Sequence, residues 1–65
     1  MSKPDIDKLM ETAEQGSSDA QADLGCGYYF GNGVKQDYEK AVMWLTKAAN
    51  QNHPEAQYVL SFCYL

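Results

Sequence analysis

Cysteine, proline and histidine are all scarce in this chain. Two, two and one of them stand among 65 residues, and five basic side chains face nine acidic ones. Each shortage excludes something. Cys26 and Cys63 form no CxxC pair, and with a single histidine they fall short of the four ligands of a usual zinc site. They read as buried, reduced thiols; a bridge between them would need Cα atoms within about 7 Å. A net charge of −4 lacks the basic footprint that nucleic acid or an anionic membrane requires. No stretch approaches the roughly 20 apolar residues of a membrane-spanning helix. The N-terminal segment Met1–Asp7 has no apolar core of a secretory signal. The expected location is therefore cytoplasmic, with no metal, no cofactor, no nucleic acid and no membrane as partner.

What the chain has instead is an internal echo. Ala20-Gln21 with Leu24 and Tyr28 returns as Ala56-Gln57 with Leu60 and Tyr64, displaced by 36 residues. The same offset matches Leu9 with Leu45, Ala13 with Ala49 and Gln15 with Gln51, giving 7 identities over the 26 positions from Pro4 to Tyr29. Ordinary residue usage would give roughly two. A period of this length marks stacked helical repeats. At 65 residues the chain is one small domain that buries a core with difficulty.

Apolar spacing places four helices. The first, from about Asp5 to Gln15, carries Ile6, Leu9, Met10 and Ala13 at i, i+3, i+4 and i+7. Pro4 suits its first turn, and Gly16 suits its end. The second runs from Ser18 to Phe30 behind an N-cap at Ser17, with Ala20, Leu24 and Tyr28 as its apolar line. Gly25 and Gly27 inside it carry a propensity cost of about 1 kcal/mol each, which close helix–helix approach would explain. Gly31–Asp37 is a turn; its Gly-Asn-Gly lacks the further residues of a phosphate loop. Val34 is expected to plug the apolar seam under it. The third helix starts after Asp37 and reaches about Gln51, burying Ala41, Trp44, Leu45, Ala48 and Ala49, with Asn52 as its terminator. The fourth begins at Pro54, capped by His53, and carries Ala56, Leu60 and Tyr64.

Ala20, Leu24, Gly25, Tyr28, Gly31, Gly33, Val34, Asp37, Lys40, Ala41, Trp44, Lys47, Ala48 and Ala49 stand at fixed spacing without a gap. This pattern closely resembles the Sel-one-like repeat, a relative of the tetratricopeptide repeat, over about Ala13–Tyr64. The resemblance implies an all-α fold: a right-handed α/α solenoid of antiparallel helix pairs, here about one and a half repeats. Residues 5–16 would be the second helix of a preceding repeat, 17–52 a complete helix-loop-helix unit, and 53–65 the first helix of the next. It also implies an adaptor or scaffold role.

Two departures from the pattern stand out. Ser61 replaces the glycine expected after Leu60, and no second loop or helix follows in the second unit. Helix four is therefore expected to leave Val59, Leu60, Phe62 and Tyr64 uncovered. The chain is expected to be a piece of a longer solenoid, or to complete itself by association or helix exchange.

Catalytic chemistry finds little support. His53 lies one helix length from Cys63, so the helix itself keeps a Cys–His pair apart. Asp5, Asp7, Glu11 and Glu14 read as a solvated helix face rather than a paired acid and base. Some relatives of the repeat are described as β-lactam hydrolases, but no Ser-x-x-Lys occurs here. The expectation is a protein that is not an enzyme, with no catalytic, cofactor or metal residues. It would bind a peptide or helix in a groove lined by the first helix of each repeat. Outside the packing motif, helix two offers Ala22, Asp23, Cys26, Tyr29 and Phe30 to that groove. The residues expected to meet a protein partner, or a second copy, are Asp23, Tyr29, Leu60, Phe62 and Tyr64.

Overall fold

The computed structural model describes residues 6–63. It contains four helices: α1 (Ile6–Glu14), α2 (Ser18–Phe30), α3 (Tyr38–Ala49) and α4 (Pro54–Cys63). Adding 36 to α1 lands on α3, and adding 36 to α2 lands on α4. The chain is thus an all-α solenoid segment. The expectations that rest on Pro4, Asp5 and Tyr64 lie outside the described residues.

The helix starts follow from local chemistry. Ser17 Oγ accepts a hydrogen bond from Ala20 N at 3.2 Å, Asp37 Oδ1 from Lys40 N at 3.2 Å, and His53 Nδ1 from Ala56 N at 3.2 Å. Each side chain satisfies one of the donors that a helix N-terminus leaves open. The ends are equally local. Gly31 ends α2 at φ 72°, where a side chain would be strained. Asn52 turns the chain after α3 at φ 64°, as Gly16 does after α1 at φ 107°. α3 stops at Ala49, short of the Gln51 that its apolar spacing suggests. The carbonyls of Ala48 and Ala49 accept from Gln51, Asn52 and His53 in the turn, so the last two residues close the corner instead of continuing the helix.

Packing centres on α2, which lies against α1, α3 and α4. Its buried residues, Ala20, Gln21, Ala22, Leu24, Gly25 and Tyr28, cover several faces rather than the single line its spacing suggests. Gly25 sets the distance to α3. A Cβ built there would stand 2.6 Å from Leu45 Cγ and 3.1 Å from Leu45 N, so the two helices touch at a point where no side chain fits. Gly27 differs: the returning loop, not a helix, fills its space, with Asn32 O 3.2 Å from the same construction. Val34 packs against the core as expected.

Three expectations about the core need correction. On α1 only Ala13 is buried; Leu9 and Met10 are partly covered, because α2 is the only helix that packs on α1 among the described residues. Ala49 is likewise only partly buried. On α4, Val59 turns inward and is buried, whereas Leu60 is only partly so. α4 leans on α2 as well as α3, and that second contact rotates its buried face toward Val59.

Gly25→Ala tests the close approach. Alanine is the better helix former by about 1 kcal/mol, yet the variant is expected to lose about 1–3 kcal/mol of stability through overpacking against Leu45. Urea denaturation measures the difference. Equal or greater stability would show that α2 and α3 separate without cost.

Candidate functional site

The polar contacts between repeats lie at one corner of each helix pair. Gln21 Nε2 donates to Ala13 O at 3.0 Å, and Gln21 Oε1 accepts from Gln51 Nε2 at 2.9 Å. Gln21 is the one buried polar side chain among the described residues, and both halves of its amide are used. The bond recurs 36 residues on, where Gln57 Nε2 donates to Ala49 O at 3.1 Å. Both glutamines and both alanines belong to the sequence echo, so the repeat is a repeat of hydrogen bonds as well as of apolar spacing. Beside it, His53 Nε2 lies 2.9 Å from Asp19 Oδ1. Because His53 Nδ1 accepts from Ala56 N, the ring proton sits on Nε2 and donates to Asp19. This joins the N-terminus of α4 to that of α2.

The expected partner-binding residues fall in different settings. Asp23 is exposed and lines a cleft of about 540 Å³ between α1 and α2. Tyr29 is half-buried; its ring stands edge-on to Phe30 at 4.8 Å and tilted against Tyr38 at 5.5 Å. Leu60 packs partly on the core. Phe62 is exposed and meets Tyr58 edge-to-face at 4.9 Å. Tyr64 lies outside the described residues. Ala22, offered to the groove by its position outside the motif, is fully buried and presents no surface. Gln21, Tyr58 and Phe30 were the residues that sequence reasoning underrated. The signal for Gln21 was present in its recurrence as Gln57.

Cys26 and Cys63 are free thiols, both partly buried. Burial pushes the Cys26 thiol above its ordinary range, and the negative charges of Glu55 and Asp23 push it further, with Cys63 adding a smaller effect. Burial also raises Cys63. The thiolate is the nucleophile and the metal ligand, so neither cysteine is activated. Among the described residues no group of His, Cys, Asp or Glu could hold a metal ion, and no helix is long and apolar enough to cross a membrane. The exposed cation Lys47 lies over the Trp44 ring at 5.0 Å, and Lys40 over Tyr28 at 5.4 Å. Two of the few cations are thereby held against α3 and the core.

Two outcomes follow. Gln21→Leu removes both bonds of the Gln21 amide, leaving Ala13 O with Gly16 N alone and Gln51 Nε2 without its acceptor, and is expected to cost about 1–2 kcal/mol. Gln57→Leu, at an exposed position, should cost less than half as much; thermal and urea unfolding compare them. For Cys26, a raised thiol pKa means a smaller thiolate fraction at any given pH. Alkylation by iodoacetamide at pH 8 should be slower in the folded chain than in urea, and should accelerate as pH rises past the ordinary thiol range. Equal rates in the two states would show that the thiol is unshielded.

Comparison with known proteins agrees with this architecture. The Sel1 repeat model matches residues 18–53 and 54–65. A sel1-like repeat-containing protein of Acanthamoeba polyphaga mimivirus is 46% identical over 41 residues, covering 63% of this chain and 7% of that protein. The ERAD-associated E3 ubiquitin-protein ligase component HRD3A of Arabidopsis thaliana is 33% identical over 61 residues, covering 92% of this chain and 9% of that protein. The crystal structure of a Sel1 repeat protein from Oxalobacter formigenes superimposes with a TM-score of 0.83 at 37% identity, covering 88% of this chain and 24% of that one. The chain therefore spans less than a tenth of these curated relatives. With its 36-residue echo, its α2–α3 pair and these matches, the chain belongs to the Sel1 repeat family.

Proposed function

We propose that this chain is a protein-interaction module that holds a helical or extended segment of a partner against α2 and α4. Sel1 repeats are generally interaction modules rather than catalysts, and one relative is, by its name, a component of a ubiquitin-ligase assembly. The observation that carries the reading here is a line of uncovered aromatic rings. Phe30, Tyr58 and Phe62 are 67%, 65% and 43% exposed. Ala22, Cys26 and Phe30 follow one another at i, i+4 and i+8 along α2, and Tyr58 and Phe62 stand at the positions equivalent to Ala22 and Cys26. On α4 both of these positions are open; on α2 the line begins at Cys26, because Ala22 is buried.

Aromatic side chains supply large contact area at low entropic cost, and the edge-to-face pair of Tyr58 and Phe62 is already organised. Carboxylates flank the line. Glu55 and Asp23 both act on the Cys26 thiol, so both lie beside it. An aromatic strip with an acidic rim on a chain of net charge −4 suits a partner segment that is apolar on one side and cationic on the other. Tyr29 and Leu60 serve this face from beneath, by holding the rings and α4 in place.

Binding of labelled amphipathic peptides that differ only in net charge, read by fluorescence anisotropy, tests the reading. Cationic peptides should bind more tightly than acidic ones, with affinity falling as salt rises. The double variant Tyr58→Ala, Phe62→Ala should lose about tenfold or more with its helical circular dichroism intact. Affinity indifferent to charge and to both rings would overturn it.

A second reading is self-association. It is favoured by two open surfaces on the same small chain, the α1–α2 cleft and the outer face of α4.

A further inference from the structure

The turn between α2 and α3 is anchored on both sides and free in the middle. On the near side, the N–H groups of Gly31 and Asn32 both donate to Gly27 O, the second at 2.8 Å. On the far side, Val34 packs against the core, Gln36 Nε2 donates to Tyr29 O at 2.8 Å, and Asp37 N donates to Tyr28 O at 2.9 Å. Between these anchors lies the peptide that joins Asn32 to Gly33, both of them exposed. Among the described residues neither the Asn32 side-chain amide nor the Gly33 N–H has a hydrogen-bond partner. Gly33 stands at φ 83°, where a side chain would be strained. The turn and both flanking helices lie inside residues 18–53, the longer of the two Sel1 matches, so all of its anchors are internal to one repeat.

This setting suits a reaction of the chain with itself. Once solvent hydroxide removes the Gly33 N–H proton, that nitrogen can attack Asn32 Cγ. The new N–Cγ bond closes a succinimide ring, the Cγ–Nδ2 bond breaks, and ammonia leaves. Water then opens the ring. Attack at Cγ leaves aspartate in an ordinary chain; attack at the backbone carbonyl leaves isoaspartate, with the chain running through Cγ. One water is consumed and one ammonia released, with no change of oxidation state. The other two asparagines of the chain are Asn50 and Asn52, and they are held differently. Gln51 N, which follows Asn50, donates to Ala48 O at 3.0 Å, and His53 N, which follows Asn52, donates to the same carbonyl at 3.2 Å. In both cases the nitrogen that would attack is tied to the end of α3 and shielded by its own side chain.

We infer that Asn32 is a self-modification site, converting without an enzyme to aspartate and isoaspartate in the folded chain while Asn50 and Asn52 stay intact. Such a covalent change alters the charge and the backbone together. Both products place a carboxylate just beyond the C-terminus of α2, the negative end of the helix dipole, on a chain already at −4. Isoaspartate also adds a backbone carbon between two anchored segments, so Val34 and the Gly27 carbonyl no longer hold the turn at its original length. The turn is thus a clock: with age it weakens the connection between α2 and α3.

The experiment incubates the full chain at physiological temperature from neutral to mildly alkaline pH and maps its peptides by mass spectrometry. The mass gain of replacing NH2 by OH should appear at Asn32 alone, and faster as pH rises. Asp-N protease separates the products, since it cuts before aspartate and passes isoaspartate; both should be present. Asn32→Gln, whose ring closure needs a larger ring, should stay unmodified over the same period. An intact Asn32, or conversion of Asn50 or Asn52 at an equal rate, overturns the site. Aged chain, purified by ion exchange, should unfold at lower urea than fresh chain and lower than Asn32→Asp, which carries the charge without the added carbon. Equal midpoints for aged and fresh chain overturn the clock.

Discussion

The contact between Gly25 and Leu45 governs the rest of this structure. Where a helix presents no side chain, its neighbour can approach until backbone meets side chain, and α2 and α3 do so. Close spacing then dictates what else can stand in the seam. Ala13, Ala20, Ala22, Ala41, Ala48 and Ala56 are all buried, and Leu24 and Leu45 are the largest side chains that are fully so. Apart from Leu24, Tyr28, Trp44, Leu45 and Val59, the core is built of alanines, each of which buries little area. It depends on helices being near enough for many small contacts to count, and one added methyl at Gly25 acts on all of them together.

A thin core places weight on polar chemistry at the corners. Gln21 reaches α1 and the turn after α3 at once, and His53 both caps α4 and holds Asp19 of α2. These side chains join one repeat to the next, where a solenoid is otherwise held only by neighbour contacts. They are satisfied within the chain: no buried side-chain nitrogen or oxygen lacks a partner among the described residues. A half-satisfied network here would cost more than an apolar one. Meanwhile the large rings Phe30, Tyr58 and Phe62 stay outside, which separates the surface available for binding from the elements that maintain the fold.

Helix boundaries were legible because they are set within a few residues. Ser17, Asp37 and His53 cap by bonding a backbone N–H three positions on, and Gly31 and Asn52 turn the chain by their own φ. The candidate surface was less legible. Asp23 and Phe62 are exposed as expected for contact residues, but Ala22, also outside the repeat motif, is sealed. Tyr29 is tied into a ring cluster with Phe30 and Tyr38. Val59 and Leu60 are adjacent and both apolar, and spacing along one helix favours Leu60. The position of α2 against α4 selects Val59 instead.

The amino-acid sequence by itself determined the four helices, their caps, the 36-residue period and the family, because these depend on interactions spanning about one helical turn or on a pattern repeated in the chain. The tertiary structure alone decided which faces of α2 and α4 are closed, that Gln21 is buried with both ends of its amide engaged, and that Cys26 lies among carboxylates. Each of these requires groups about thirty or more residues apart in sequence to meet in space, as Gln21 meets Gln51 and Asp19 meets His53. Helical periodicity records the direction in which a side chain points, but not what arrives there from the next repeat.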